Sequence, residues 1–202
     1  AFELACADLP ALATLGLEAQ ALDAAVLAAA EPALLPGLAG GIHFPNDAHL
    51  RPDRYATALA RAVRAQGGVI EEGIDVTGFR REGQRLTAVA TTAGERRGRE
   101  VLAALGPWSP LLLQQLDLRL PIQPGKGYSI TYDRPAIAPS VPVVLKERSV
   151  CVTAWDSGFR LGSTMEFSGY DASLNRRRLD ALERGAREYL HTPVGPRKLQ
   201  EW

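Results

Sequence analysis

Apolar positions recur at helical spacing in the first part of the chain and at alternate positions further on. Residues 1–35 are rich in Ala and Leu. Leu4, Leu9, Leu12 and Leu15 form a first apolar set, with Pro10 limiting the helix that carries them. A second helix is predicted from Asp23, a side chain suited to an N-cap, through Val26, Leu27 and Ala30 to Glu31-Pro32. Gly40–Phe44 reads as a short strand leaving a glycine bend, and Pro45-Asn46-Asp47-Ala48 as turn chemistry. Pro52 then opens another helix with Tyr55, Leu59, Ala62, Val63 and Gln66 on one face, and Gly67-Gly68 stops it.

From Val69 the pattern changes to short extended runs. Val69–Glu72, Asp75–Phe79, Arg85–Thr91 and Arg96–Glu100 read as a meander with turns at Glu82-Gly83 and Ala93-Gly94. The continuous apolar run Val101–Leu105 ends at Gly106. It predicts a buried strand whose carboxyl end presents backbone to a ligand, or else a plain core strand with a turn. Ser109–Leu116 reads as a short helix. In Pro121–Thr131, two prolines and two glycines crowd the entry to a β-branched and aromatic run, which predicts a sharp bend feeding a strand. Further strands are predicted over Val143–Lys146, Val150–Trp155 and Phe159–Met165, the last two joined by an Asp156-Ser157-Gly158 turn. Alternation puts Cys151 and Thr153 on one face and Val150 and Val152 on the other. A closing helix over 172–190 shows the stripe Leu179, Leu182, Ala186 and Tyr189, and 191–196 breaks it.

Composition narrows the function classes. The 202 residues carry no net charge, which speaks against a nucleic-acid partner. Arg176-Arg177-Arg178 reads as a solvated helix face. Two cysteines, Cys6 and Cys151, make neither a disulfide framework nor a metal-type spacing, so a reducing compartment is expected and no metal site is nominated. No apolar run is long enough to span a membrane. The start lacks an initiator Met and a basic leader, and is expected to be the middle of a longer chain. G-x-G-x-x-G, Walker A, H-E-x-x-H and G-x-S-x-G motifs are absent from the sequence. His43 and His49 could serve as bases, but turn or capping roles suit them better.

Four phrases carry a resemblance: Lys126-Gly127-Tyr128-Ser129, Gly106-Pro107-Trp108-Ser109, Gly41-Ile42-His43-Phe44-Pro45 and Glu31-Pro32-Ala33-Leu34. Together they resemble the D-amino-acid oxidase superfamily of flavoproteins, and within it the bacterial D-amino-acid dehydrogenase branch. The resemblance covers nearly the whole chain. It implies the central portion of an enzyme that oxidises D-amino acids to 2-oxo acids by hydride transfer to FAD. It implies that the family's dinucleotide fingerprint and later flavin segment would lie outside these residues. It implies Val76 at the adenine end of FAD, and Gly106, Pro107 and Trp108 beside the pyrophosphate. Lys126 and Tyr128, near the flavin ring, would line the substrate pocket together with Cys151, Thr153 and Met165, which would wall it. Each also has a plain structural reading, as core filler, strand start or exposed turn. No acid–base catalytic residue is nominated, because flavin amine oxidation mainly needs orientation and desolvation.

The expected fold class is α+β: an antiparallel substrate-domain sheet backed by helices, plus a β-meander and helix from the FAD-binding half. Residues 1–48 and 119–202 would form the substrate side and 49–118 the flavin side. FAD is expected in the parent enzyme and not retained by these residues alone, which are expected to be inactive. Partners would be a small amine or amino-acid substrate, the missing flavin-domain segments and a second copy covering exposed apolar surface. A cytoplasmic location is expected, or the periphery of the inner membrane for the parent. Two other readings stay open: a relative acting on glycine, sarcosine or a 2-hydroxy acid, and a non-catalytic binding or interaction module.

Overall fold

Asp23 shows how local chemistry sets the elements. In the computed structural model, which describes residues 2–202, its carboxylate accepts from the backbone N–H groups of Ala25 and Val26, both at 2.9 Å. That cap starts α3 (Ala24–Ala30), where the sequence predicts a helix. Ahead of it lie α1 (Phe2–Ala7), α2 (Leu9–Thr14) and β1 (Gln20–Asp23). Pro10 falls in the first turn of α2, where a missing N–H costs nothing. β1 pairs antiparallel with β2 (Gly40–His43). The chain divides into two compact units, residues 1–49 with 125–202 and residues 50–124.

The first unit is built on a five-stranded antiparallel sheet. Its strands are β6 (Lys126–Tyr132), β7 (Val143–Leu145), β8 (Val150–Trp155), β9 (Gly158–Glu166) and β10 (Lys198–Glu201), in the order β10-β6-β9-β8-β7. Helix α6 (Arg176–Arg187) packs across β6, β8 and β9. Leu179, Leu182 and Ala186 on the helix meet Tyr128, Ile130, Val150, Val152, Phe159 and Leu161 from the sheet in one buried cluster. Close approach is built in. A Cβ on Gly185 would stand 2.9 Å from Val150 Cγ2 and 3.1 Å from Arg148 Cβ. The amino-terminal part joins this core through a bridge between Leu34 and Leu190, with Leu35 N–H donating to Tyr189 and His191 N–H to Ala33. Glu31 is buried beneath it, and its carboxylate accepts from the Ser140 N–H and hydroxyl, both at 2.7 Å.

The second unit holds α4 (Pro52–Ala65), the meander β3 (Val76–Glu82), β4 (Arg85–Thr91) and β5 (Gly94–Arg96), and α5 (Ser109–Leu113) between single 3-10 turns. Only Gly78, Ala88 and Ser109 are buried among its residues.

Several predicted elements differ. Val69–Glu72 is no strand: Glu71 is held bidentately by Arg96 and Glu72 pairs with Arg64, so side chains rather than a ladder fix it. Val101–Leu105 is irregular, pairs with none of the described strands, and Leu102 is 90% exposed. Leu4 and Leu15 are exposed instead of clustered. The closing helix starts later than expected, since Asp171 folds onto the Ser173 N–H and hydroxyl and Asn175 supplies the cap. β1 and β10 are additional strands, both short and paired to others.

Candidate functional site

Alternation gives the five-stranded sheet two chemically different faces. Tyr128, Ile130 and Tyr132 of β6 point into the core under α6. Gly127, Ser129 and Thr131 belong to the second face. The register sets Gly127 opposite Met165, Ser129 opposite Gly162 and Thr131 opposite Arg160. It continues to β8, where Gly162 faces Cys151 and Arg160 faces Thr153. The second face therefore gathers Cys151, Thr153 and Met165, three of the predicted pocket residues. Cys151 and Met165 are exposed there. At one end of that face Arg160 donates from Nε to the Thr131 hydroxyl at 3.0 Å, and its guanidinium lies over both the Trp155 and Trp202 rings. The Ser129 hydroxyl is buried without a hydrogen-bond partner.

Lys126 and Tyr128, predicted for the same pocket, lie on the other face. Tyr128 is 1% exposed, and its phenol donates to Glu166. That bond, reinforced by the nearby Lys126 and Arg178 charges, holds the Glu166 carboxyl below the usual glutamate range against the effect of burial. Lys126 Nζ donates to the backbone carbonyls of Asp171 at 2.9 Å and Ser173 at 2.8 Å, and lies 3.6 Å from Glu166. Burial pulls this ammonium down, but bonding to Tyr128 and the charges of Asp171 and Glu166 outweigh it, so its pKa is raised. Lys126 stays a cation at any physiological pH.

A bulge makes this arrangement. The register shifts between Gly127 and Tyr128, and Ser163 and Thr164 take φ values of 119° and 44°. The extra residue turns Glu166 toward Tyr128 and moves Met165 from the core face, where Phe159 and Leu161 lie, to the second face. Alternation alone predicts neither, and Glu166 and Arg160 were missed because their roles depend on partners far away in sequence.

In the second unit, Gly106, Pro107 and Trp108 form one exposed turn into α5. Gly106 has φ +55°, and nothing lies within 4 Å of the place a Cβ would take, which leaves backbone accessible to a phosphate-sized group. Val76 sits on β3 opposite Thr91 and is partly exposed. An open glycine turn and a partly exposed strand valine are features that a dinucleotide could use. Among the described residues no cluster of His, Cys, Asp and Glu suits a metal ion, and no helix is long and apolar enough to cross a membrane.

A family model described as FAD dependent oxidoreductase matches residues 2–202. The chain belongs to that family. The D-amino acid dehydrogenase of Chromohalobacter salexigens is 34% identical over 99% of this chain and 49% of its own length. That of Rhizorhabdus wittichii is 36% identical over 87% and 44%. The glycine oxidase of Bacillus cereus superposes with a TM-score of 0.84 at 20% identity, covering 99% of this chain and 55% of its own, and shares the fold. The chain thus spans about half the length of the curated relatives it matches. The antiparallel α+β architecture is that of the FAD dependent oxidoreductases.

Proposed function

We propose that these residues form the substrate-side portion, with part of the flavin side, of an FAD-dependent dehydrogenase that oxidises D-amino acids to 2-oxo acids. The observation that carries this is the 34% identity to a D-amino acid dehydrogenase across 99% of the chain. The unit of 1–49 and 125–202 would be the substrate side, and 50–124 would lie toward the nucleotide. FAD, when bound, accepts the hydride from the substrate α-carbon. The chain's own residues orient the substrate and keep water out: Cys151, Thr153, Gly162 and Met165 give the second face small, uncharged or soft side chains. None of them is a strong acid or base, which suits a reaction whose protein contribution is positioning. The Gly106–Trp108 turn would approach the pyrophosphate and Val76 the adenine end. Two free cysteines support a reducing, cytoplasmic location.

The likeness to a glycine oxidase supports a second reading, oxidation of glycine or another small amine. A screen of D-amino acids, glycine, sarcosine and 2-hydroxy acids, with an artificial electron acceptor, on the whole enzyme built around these residues separates the two. Turnover of D-amino acids is expected. Turnover confined to glycine or sarcosine selects the second reading, and turnover of none of these compounds overturns both.

A further inference from the structure

We propose that Gly125 and Lys126 form a clasp that fixes the loop of residues 167–175, so that Met165 and Phe167 stand as an apolar wall at one end of the second sheet face. Lys126 is then a positioning residue and not a substrate ligand. The inference rests on the reading that the second face is the substrate side.

Two adjacent residues hold the loop by different means. Gly125 has no side chain, and a Cβ there would stand 3.3 Å from both Met165 Sδ and Phe167 Cε1. The wall therefore rests directly on backbone. Lys126 reaches the opposite way. Its ammonium bridges the carbonyls of Asp171 and Ser173 and faces Glu166, which also pairs with Arg178 at 3.5 Å. Arg178 in turn donates to the Met165 carbonyl at 3.1 Å. Only 19% of the Lys126 side chain is exposed, which suits an internal tie and not a surface cation that collects substrate. Burial does little to hold the loop, because all of residues 167–175 are exposed. The wall is correspondingly open, Met165 being 62% and Phe167 64% exposed. An apolar substrate side chain laid against this end of the sheet would cover both.

The test is hydrogen exchange on the 202-residue chain. In Lys126→Met, amides of 167–175 should exchange about tenfold faster, as for a lost charge-assisted tie, while those of 179–187 stay as protected as before. Lys126→Arg, which restores donors to the two carbonyls, should recover most of the protection. Unchanged exchange in Lys126→Met overturns the clasp. So does equal acceleration of 179–187, which would make Lys126 a general support of the fold. These readouts need no turnover, so failure of the clasp and failure of the proposed function are separable. In an active whole enzyme, Lys126→Met should raise KM for D-phenylalanine several-fold more than for D-alanine, with kcat within about twofold. An equal rise for both amino acids overturns the wall's part in selectivity.

Discussion

The two units have comparable secondary structure and very different interiors. In the first, thirteen residues from β6 to β9, α6 and the 34–190 bridge make one buried cluster. In the second, α4 presents Tyr55, Leu59 and Val63 at 45–55% exposure, and only Gly78, Ala88 and Ser109 are buried. Capping, proline placement and turn glycines are enough to shape α4 and the β3–β5 meander. They are not enough to give them a core. Periodicity records which face an element offers for burial, and the partner decides whether that offer is taken up.

The comparison breaks most easily at the core. Leu182→Ala, at a fully buried position, should cost about 2–5 kcal/mol in denaturant unfolding, and Leu59→Ala, half exposed on α4, within about 0.5 kcal/mol. Equal effects would mean that α4 is covered in solution, for example by a second copy, and sedimentation velocity would show it. Gly185→Ala tests the helix–sheet approach. With Val150 and Arg148 already in the way of a Cβ, a loss of about 1–3 kcal/mol is expected despite the better helix propensity of Ala.

A pH titration sharpens the contrast further. Burial, and then the 2.6 Å bond to Glu183, push the Tyr132 phenol above its ordinary value of 10.0. Its contribution is complete below the unfolded value and is lost as pH rises toward the folded one. Melting temperature should therefore fall on the alkaline side of about pH 10. Tyr132→Phe should flatten that fall, and a fall of the same steepness in the variant would assign it to other groups. A small effect of opposite sign is expected at the bulge. Ser163→Gly removes a side chain from φ 119° and should stabilise by about 0.5–1 kcal/mol, read as a higher denaturation midpoint.

Much of the fold was legible in sequence because it is locally encoded. Asp23 caps α3, Pro52 opens α4, and alternation separates buried Val150 and Val152 from exposed Cys151. What was illegible depends on partners. Lys198–Glu201 is too polar and short to declare itself a strand, and pairs only because β6 offers an edge. Val101–Leu105 is apolar enough for a buried strand, yet no ladder receives it. At the candidate site, alternation puts Cys151 and Thr153 on one face, and Met165 reaches that face only through the bulge in β9. Lys126 and Tyr128 do not join them, because β6 alternates and the Ser163–Thr164 bulge brings Glu166 round to meet them. The turn at Gly106 was readable from its composition, and its φ of +55° is the reason glycine stands there.

The bridge between Leu34 and Leu190 has a consequence for biosynthesis. The strand order places the last strand beside β6, and the amino-terminal segment closes against residues 189–191. A chain emerging from the ribosome must hold Ala33, Leu34 and the acidic side chain of Glu31 without their final neighbours while residues 50–124 are made. Loop-closure entropy places that docking late, after the β8–β9 hairpin and α6 have met. During that interval the nascent polypeptide displays the apolar stretch around Ala33 and Leu34 without its partners, a natural target for a holding chaperone.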